Sequence, residues 1–187
     1  LINFFNNLFK HILSPMIHIL SHFPFHYNYF LFYEYSTMLV IYFIRGVSMA
    51  VIKYNEAEVK LLARLMRAEA EGEGNLGMLM VGNVGVNRVR ARCSDFKKIT
   101  SITKMVYQRP GGFESTLYGY FYQAARSNEI KLARRNIKGE RFSPATRSLW
   151  FYATKTKGCK AQWYNQWNSG KYKNHCFYSP LESLNCY

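Results

Sequence analysis

Three glutamates fall within five positions in the stretch Arg67-Ala68-Glu69-Ala70-Glu71-Gly72-Glu73-Gly74. The whole of residues 49–187 holds only ten acidic side chains. Asn55 and Glu58 ahead of the cluster read as a capping box. Val59, Leu62, Ala63 and Met66, with Leu61, Leu65 and Ala68, recur at helical spacing. Glu69 therefore falls in the last turn of a helix, where the macrodipole is negative. That dipole and the neighbouring glutamates raise a carboxyl pKa, and burial raises it further. A carboxylic acid kept protonated near neutral pH is what protonation of a leaving glycosidic oxygen requires. The competing reading is structural, since E-A-E-G-E also describes a solvated helix end.

Other chemistries lack their residues. His175 is the one histidine after Met49, which removes HExxH zinc sites. Cys93, Cys159, Cys176 and Cys186 form no CxxC pair, so a zinc ribbon is not expected. GxxxxGK[ST] and GxSxG are missing. A glycosidase of the kind suggested by Glu69 needs neither metal nor cofactor.

The elements that must position these residues follow from punctuation and periodicity. The first helix is expected to stop near Gly72 and Gly74, and a second to run from Leu76 to about Arg90. Gly77, Gly82 and Gly85 would let a neighbouring helix approach it closely. Residues 93–100 read as a loop, 102–107 as a short helix or strand, and Pro110-Gly111-Gly112 as a turn. Residues 116–126 and 128–138 are further helix candidates, the second closed by Gly139. Residues 149–154 and 176–178 read as strands. The class expected is α+β and helix-dominated, one catalytic domain over residues 49–187.

Residues 1–48 have another composition. They hold four of the five histidines and only three charged side chains, Lys10, Glu34 and Arg45. Residues 27–44 form an apolar run, but Glu34 near its centre opposes membrane spanning, and a secretory signal would need an early basic start and a small-residue end. The favoured expectation is translated upstream DNA, with a native start at Met49. A membrane-associated leader and a genuine folded part are the alternatives, and no stable membrane insertion is expected.

With these residues in place, a family resemblance is visible. Residues 67–73, followed by Val81-Gly82-Asn83-Val84-Gly85-Val86-Asn87-Arg88-Val89, resemble the catalytic core of the SleB/CwlJ spore cortex-lytic hydrolases. The likeness continues through Val106-Tyr107-Gln108 and Phe113-Glu114. It is strongest to the CwlJ branch in Gly119-Tyr120-Phe121-Tyr122-Gln123, in 159–165 and in His175-Cys176-Phe177-Tyr178. The resemblance implies a lysozyme- or lytic-transglycosylase-like domain with a small sheet, acting on spore cortex peptidoglycan during germination. It makes Glu69 the general acid and Glu73 a support that holds a loop or positions water. Asn83, Asn87 and Arg88 would bond Glu69 or sugar, or else form a structural network beneath the site. Tyr107, Gln108, Phe113, Tyr120, His175 and Phe177 would support the site or substrate. Because Lys173-Asn174 precedes His175 where SleB-type chains read G-K-H, a lysine contact there is not expected. A standard hydrolase needs a second carboxylate, and Glu71, Glu73 and Asp95 are the candidates near in sequence. A lytic transglycosylase needs only one acid.

Residues 49–187 carry 23 basic side chains against ten acidic. Nucleic acid is the default partner of such charge, but no recognition motif accompanies it, and anionic peptidoglycan fits as well. No nucleic-acid partner is expected. Trp163, Tyr164 and Trp167 are candidates for stacking on sugars, with Trp163 equally a core residue. The resemblance further implies a place at the spore coat or cortex–coat boundary and the coat protein GerQ as partner. It leaves the four cysteines either as disulfides or as reduced thiols. The rival function is a coat or peptidoglycan-binding scaffold that kept the fold without catalysis.

Overall fold

The computed structural model describes residues 50–93, 95–154 and 158–187. The expectations for residues 1–48 lie outside them. Helix α1 spans Glu56–Ala70, and the Asn55 side chain accepts the Glu58 N–H at 3.0 Å, as an N-cap should. The other half of the capping box is absent. Glu58 instead accepts from the Thr103 N–H and hydroxyl at 3.1 and 3.0 Å, tying α1 to the short helix α3 (Ile102–Val106). A single 3₁₀ turn, Glu71–Glu73, links α1 to α2 (Gly74–Arg90).

Helix α2 is buried along almost its whole length, from Gly77 to Val89, with α1, α3 and α5 (Ser127–Ile137) packed around it. Gly82 allows one of these contacts. A Cβ there would lie 2.1 Å from the side-chain oxygen of buried Asn136 on α5, whose amide donates to Leu79 O at 2.9 Å. The apolar core joins Val59, Leu62, Leu65 and Met66 of α1 to Val81 and Val86 of α2, Ile102 and Met105 of α3, and Leu132 and Ile137 of α5.

The helix expected over 116–126 does not form. The chain instead makes a 3₁₀ turn at Glu114–Leu117 and one helical turn, α4 (Gly119–Tyr122), before running extended into α5. Buried Arg67 explains this. Its guanidinium takes the carbonyls of Tyr120, Gln123 and Ala124 at 3.1, 2.8 and 2.7 Å, which holds the chain extended after a single turn.

The sheet is antiparallel, in the order β1-β4-β3-β2, from β1 (Trp150–Ala153), β2 (Gln162–Trp163), β3 (Gln166–Tyr172) and β4 (His175–Ser179). Strands β2 and β3 were not expected, because Asn165, Asn168, Gly170 and Lys171 do not read as strand. A register shift between Asn168 and Gly170 accommodates the irregular part of β3. Phe177 packs with Met80, Val84 and Ala145 on the helical side. Tyr152, Tyr178 and Trp163 form a ring layer with centroids 5.0–5.7 Å apart. All four cysteines are paired, as Cys93–Cys186 and Cys159–Cys176. The class is α+β, as expected, and among the described residues no helix is long and apolar enough to cross a membrane.

Candidate active site

The end of α1, the following 3₁₀ turn and the β1 and β4 ends of the sheet enclose a cleft of about 550 Å³. Glu69, Ala70, Gly72, Glu73, Ala153, Thr154, Asn174 and His175 line it. Register explains the convergence, since Ala153 pairs with His175 and Tyr172 pairs with His175 across the Lys173-Asn174 turn.

Glu69 is half-buried at the mouth of this cleft, and its Oε1 accepts the Ser115 N–H at 3.2 Å. Burial raises its pKa from its ordinary value, and the exposed Glu114 carboxylate adds to the rise. Bonding to Ser115 and the positive charge of Arg88 act the other way without reversing it. Arg88 lies buried beneath, donating to Leu149 O at 2.8 Å and Gly111 O at 3.0 Å, with its guanidinium 4.6 Å from the Phe113 ring centre. Burial lowers its pKa to about 10 while the charge of Glu69 opposes the fall, so Arg88 stays cationic at neutral pH.

Glu73, four residues on, is in another situation. It is buried, and both of its oxygens accept from Asn174, one from the backbone N–H at 3.2 Å and one from the side-chain amide at 3.1 Å. Lys173 completes the link by donating its Nζ to Glu73 O at 2.8 Å, a lysine contact the sequence did not lead us to expect. These bonds hold a hairpin turn whose Lys173 has φ 46°, a conformation L-residues adopt at a cost of about 1–2 kcal/mol. His175 Nδ1 lies 3.8 Å from Glu73 Oε1 and makes no hydrogen bond. Burial lowers the His175 pKa, more than Glu73 restores it, so the imidazole is neutral at pH 7.

The remaining expected residues are distributed around this centre. Phe113 and Phe177 are buried supports. Asn83 and Asn87 do not bond Glu69. Asn83 binds Glu140 O and the Phe142 N–H, and Asn87 donates to the carbonyls of Ala145, Thr146 and Ser148. They form the structural network that was one of their two readings. Tyr120 is exposed and donates to Glu71, which Arg126 also binds. Those bonds lower the Glu71 pKa and occupy both of its oxygens. Tyr107 is exposed with its ring edge to Phe121, and Gln108 contacts Asp95 O, both away from the cleft lining. Trp163 is half-buried on Tyr152 and Tyr178, while Tyr164 and Trp167 are exposed. Trp167 pairs with Ser179, four residues along β4 from His175 and so roughly 13 Å from the cleft end. Sequence reasoning missed Ser115, Glu114, Thr154 and Asn174. Glu114 was visible only as part of the family pattern, and the others carry no local signal. Among the described residues, no three His, Cys, Asp or Glu side chains gather as a metal site would require.

This arrangement, one desolvated acid over a buried arginine in an open cleft, sits on a fold with known relatives. The chain belongs to the cell wall hydrolase family, whose profile matches residues 72–178. It is similar to the CwlJ cell wall hydrolase of Oceanobacillus iheyensis, 67% identical over 132 residues that cover 71% of this chain and 93% of that protein. The corresponding protein of Bacillus subtilis is 57% identical over 132 residues, covering 71% and 92%. Among solved structures, the catalytic domain of Bacillus cereus SleB matches with a TM-score of 0.55 at 20% identity. That likeness covers 72% of this chain and 98% of the domain, and it shows the shared fold.

Proposed function

We propose that this cell wall hydrolase cleaves a glycosidic bond of spore cortex peptidoglycan during germination, with Glu69 as general acid. The observation that carries the reading is the state of Glu69, a carboxyl whose pKa burial raises and which still lines an open cleft. Glu69 stands just outside the matched family span, so its role rests on this geometry together with the motif.

The Glu69 carboxyl gives its proton to the leaving glycosidic oxygen as the bond from C1 breaks, leaving an oxocarbenium-like sugar and a Glu69 carboxylate. That carboxylate then takes a proton from the group that attacks C1. Water as attacker gives a reducing end, and the sugar's own 6-hydroxyl gives an anhydro end. Glu73 and Glu71 each have both oxygens engaged, which favours the route needing one carboxyl alone. The CwlJ likeness supports a place at the coat or cortex–coat boundary, with cortex as substrate and GerQ as a coat partner.

The test is digestion of cortex fragments by the chain and by Glu69→Gln, with products read by mass spectrometry. Anhydro or reducing sugar ends that vanish in Glu69→Gln are expected. Free stem peptides with intact glycan would overturn the bond assignment, and full activity in Glu69→Gln would overturn the acid. Binding to cortex with no cleavage at all would leave the scaffold reading standing.

A further inference from the structure

Helix α2 has a second functional-looking end. Asn83, Asn87 and Arg90 are spaced i, i+4 and i+7, so they share one helical face. The segment after α5 is bound along that face. Asn83 grips the backbone on both sides of Arg141, through Glu140 O at 2.7 Å and the Phe142 N–H at 2.8 Å. Asn87 grips it on both sides of Arg147, through Thr146 O and Ser148 O at 3.2 and 3.0 Å. Cys186 is joined to Cys93, and its carbonyl accepts the Arg92 N–H at 2.8 Å. That anchor brings Tyr187 against Arg147, whose guanidinium lies 5.2 Å from the ring centre while the phenol donates to Arg147 O at 3.1 Å.

The positive charges of Arg90, Arg147 and Arg141 all act on this phenol. Among the described residues, no carboxylate forms an ion pair with any of the three, whereas Arg67, Arg126, Arg134 and Arg135 each have one. Nη2 of Arg141 is buried and without a hydrogen-bond partner, an arrangement that is unfavourable until an acceptor arrives. The positive charge of Arg90 further disfavours the Arg141 cation, whose pKa burial already lowers. Helix-end charge alone accounts for Arg92, which donates to Val89 O and Ala91 O at 3.4 Å. Arg141 donates its Nη1 to Asn136 O in the last turn of α5 and to Glu140 O, at 3.2 and 3.0 Å, which leaves its Nη2 over, and no helix end accounts for Arg147.

We propose that Arg90, Arg141, Arg147 and Tyr187 form an anion site for a phosphate group, about 24 Å along α2 from the glutamate end. Guanidinium forks from three directions suit the several oxygens of a phosphate, whereas one carboxylate is satisfied by a single fork. The phosphate is either free or carried as a phosphodiester on an anionic polymer. The site does not depend on the reaction proposed above.

Calorimetric titration of the full chain at low salt with inorganic phosphate, and in parallel with a short poly(glycerol phosphate), tests the assignment. Side-chain Nε resonances of Arg90, Arg141 and Arg147 are expected to shift with either probe. The double variant R90Q/R147Q, two exposed positions, should weaken binding at least tenfold with its melting temperature and glycan cleavage unchanged. The control K104Q should bind like the parent. Tighter binding of the polymer per phosphate identifies a polymer source, and equal binding identifies free phosphate. Unchanged affinity in R90Q/R147Q, no binding of either probe at millimolar concentration, or binding of oligoglutamate in place of phosphate overturns the proposal.

Discussion

The two ends of α2 treat charge in opposite ways. At its start, Glu69 precedes the 3₁₀ turn and Glu73 ends it, and the protein surrounds them with a buried arginine, an amide N–H and a hairpin turn. At its finish, three arginines meet with no carboxylate among the described residues to answer them. In a domain with 23 basic and ten acidic side chains, acids are the scarce component. Where they are placed marks the chemistry, and where they are withheld leaves a cationic surface able to receive an anion. Asn83 and Asn87 stand between the two ends and serve the second more directly than the first.

The largest effect that would sharpen this contrast is at Glu69. Glu69→Gln is expected to lower cortex cleavage by about 10²–10⁴-fold, the usual worth of a general acid, read as product release per unit time. Glu73→Gln should lose only about 10- to 100-fold, because it disturbs the turn holding Asn174 and His175 without removing the acid. An equal loss in the two variants would break the distinction between them and make Glu73 the second carboxylate of a hydrolase. Asn87→Ala removes the donor to three carbonyls along one loop, at about 1–3 kcal/mol of stability by urea unfolding. It should also weaken phosphate binding, since Arg147 then loses its fixed backbone.

The smallest effect is a matter of sign. The folded-state pKa of Glu69 is raised by burial, so between the unfolded and folded values the native chain keeps a proton that the unfolded chain has lost. Stability from this group is therefore full below the ordinary carboxyl pKa and declines as pH rises through the raised one. Glu69→Gln should lack that decline and melt slightly higher than the parent at neutral pH. A lower melting temperature there would mean that the charged carboxylate is net favourable in the fold. Cleavage itself should fall as pH rises past the same raised pKa, because the proton to be donated is gone.

The first two helices were legible from residues alone. An Asn cap, apolar spacing and glycines mark α1 and α2 to within a few positions of their ends, because these signals act locally. The segment over 116–126 was not legible, since the residue that decides it, Arg67, lies some fifty positions away and captures its carbonyls. Strands β2 and β3 were hidden for a related reason. The Asn, Gly and Lys residues of β3 are poor strand formers that pairing with β4 holds in place, and the two-residue β2 exists only by pairing with β3. Glu69, Glu73 and His175, each singled out in the sequence, line one cleft. Ser115, Thr154 and Asn174 were not, because a backbone N–H or a turn amide has no sequence signature. The aromatic candidates Tyr164 and Trp167 turned out to lie toward the far end of the sheet.

What the sequence determined by itself is the motif, the scarcity of acids and the family, all of which depend on residue identity and spacing. Only the tertiary structure decided which of two glutamates four residues apart has its pKa raised by burial in the cleft, and which is bound at both oxygens. It also decided that the two asparagines of the second helix organise an arginine cluster. Both outcomes turn on burial and on hydrogen bonds between segments distant in the chain, and no local pattern encodes which partner a polar side chain will meet.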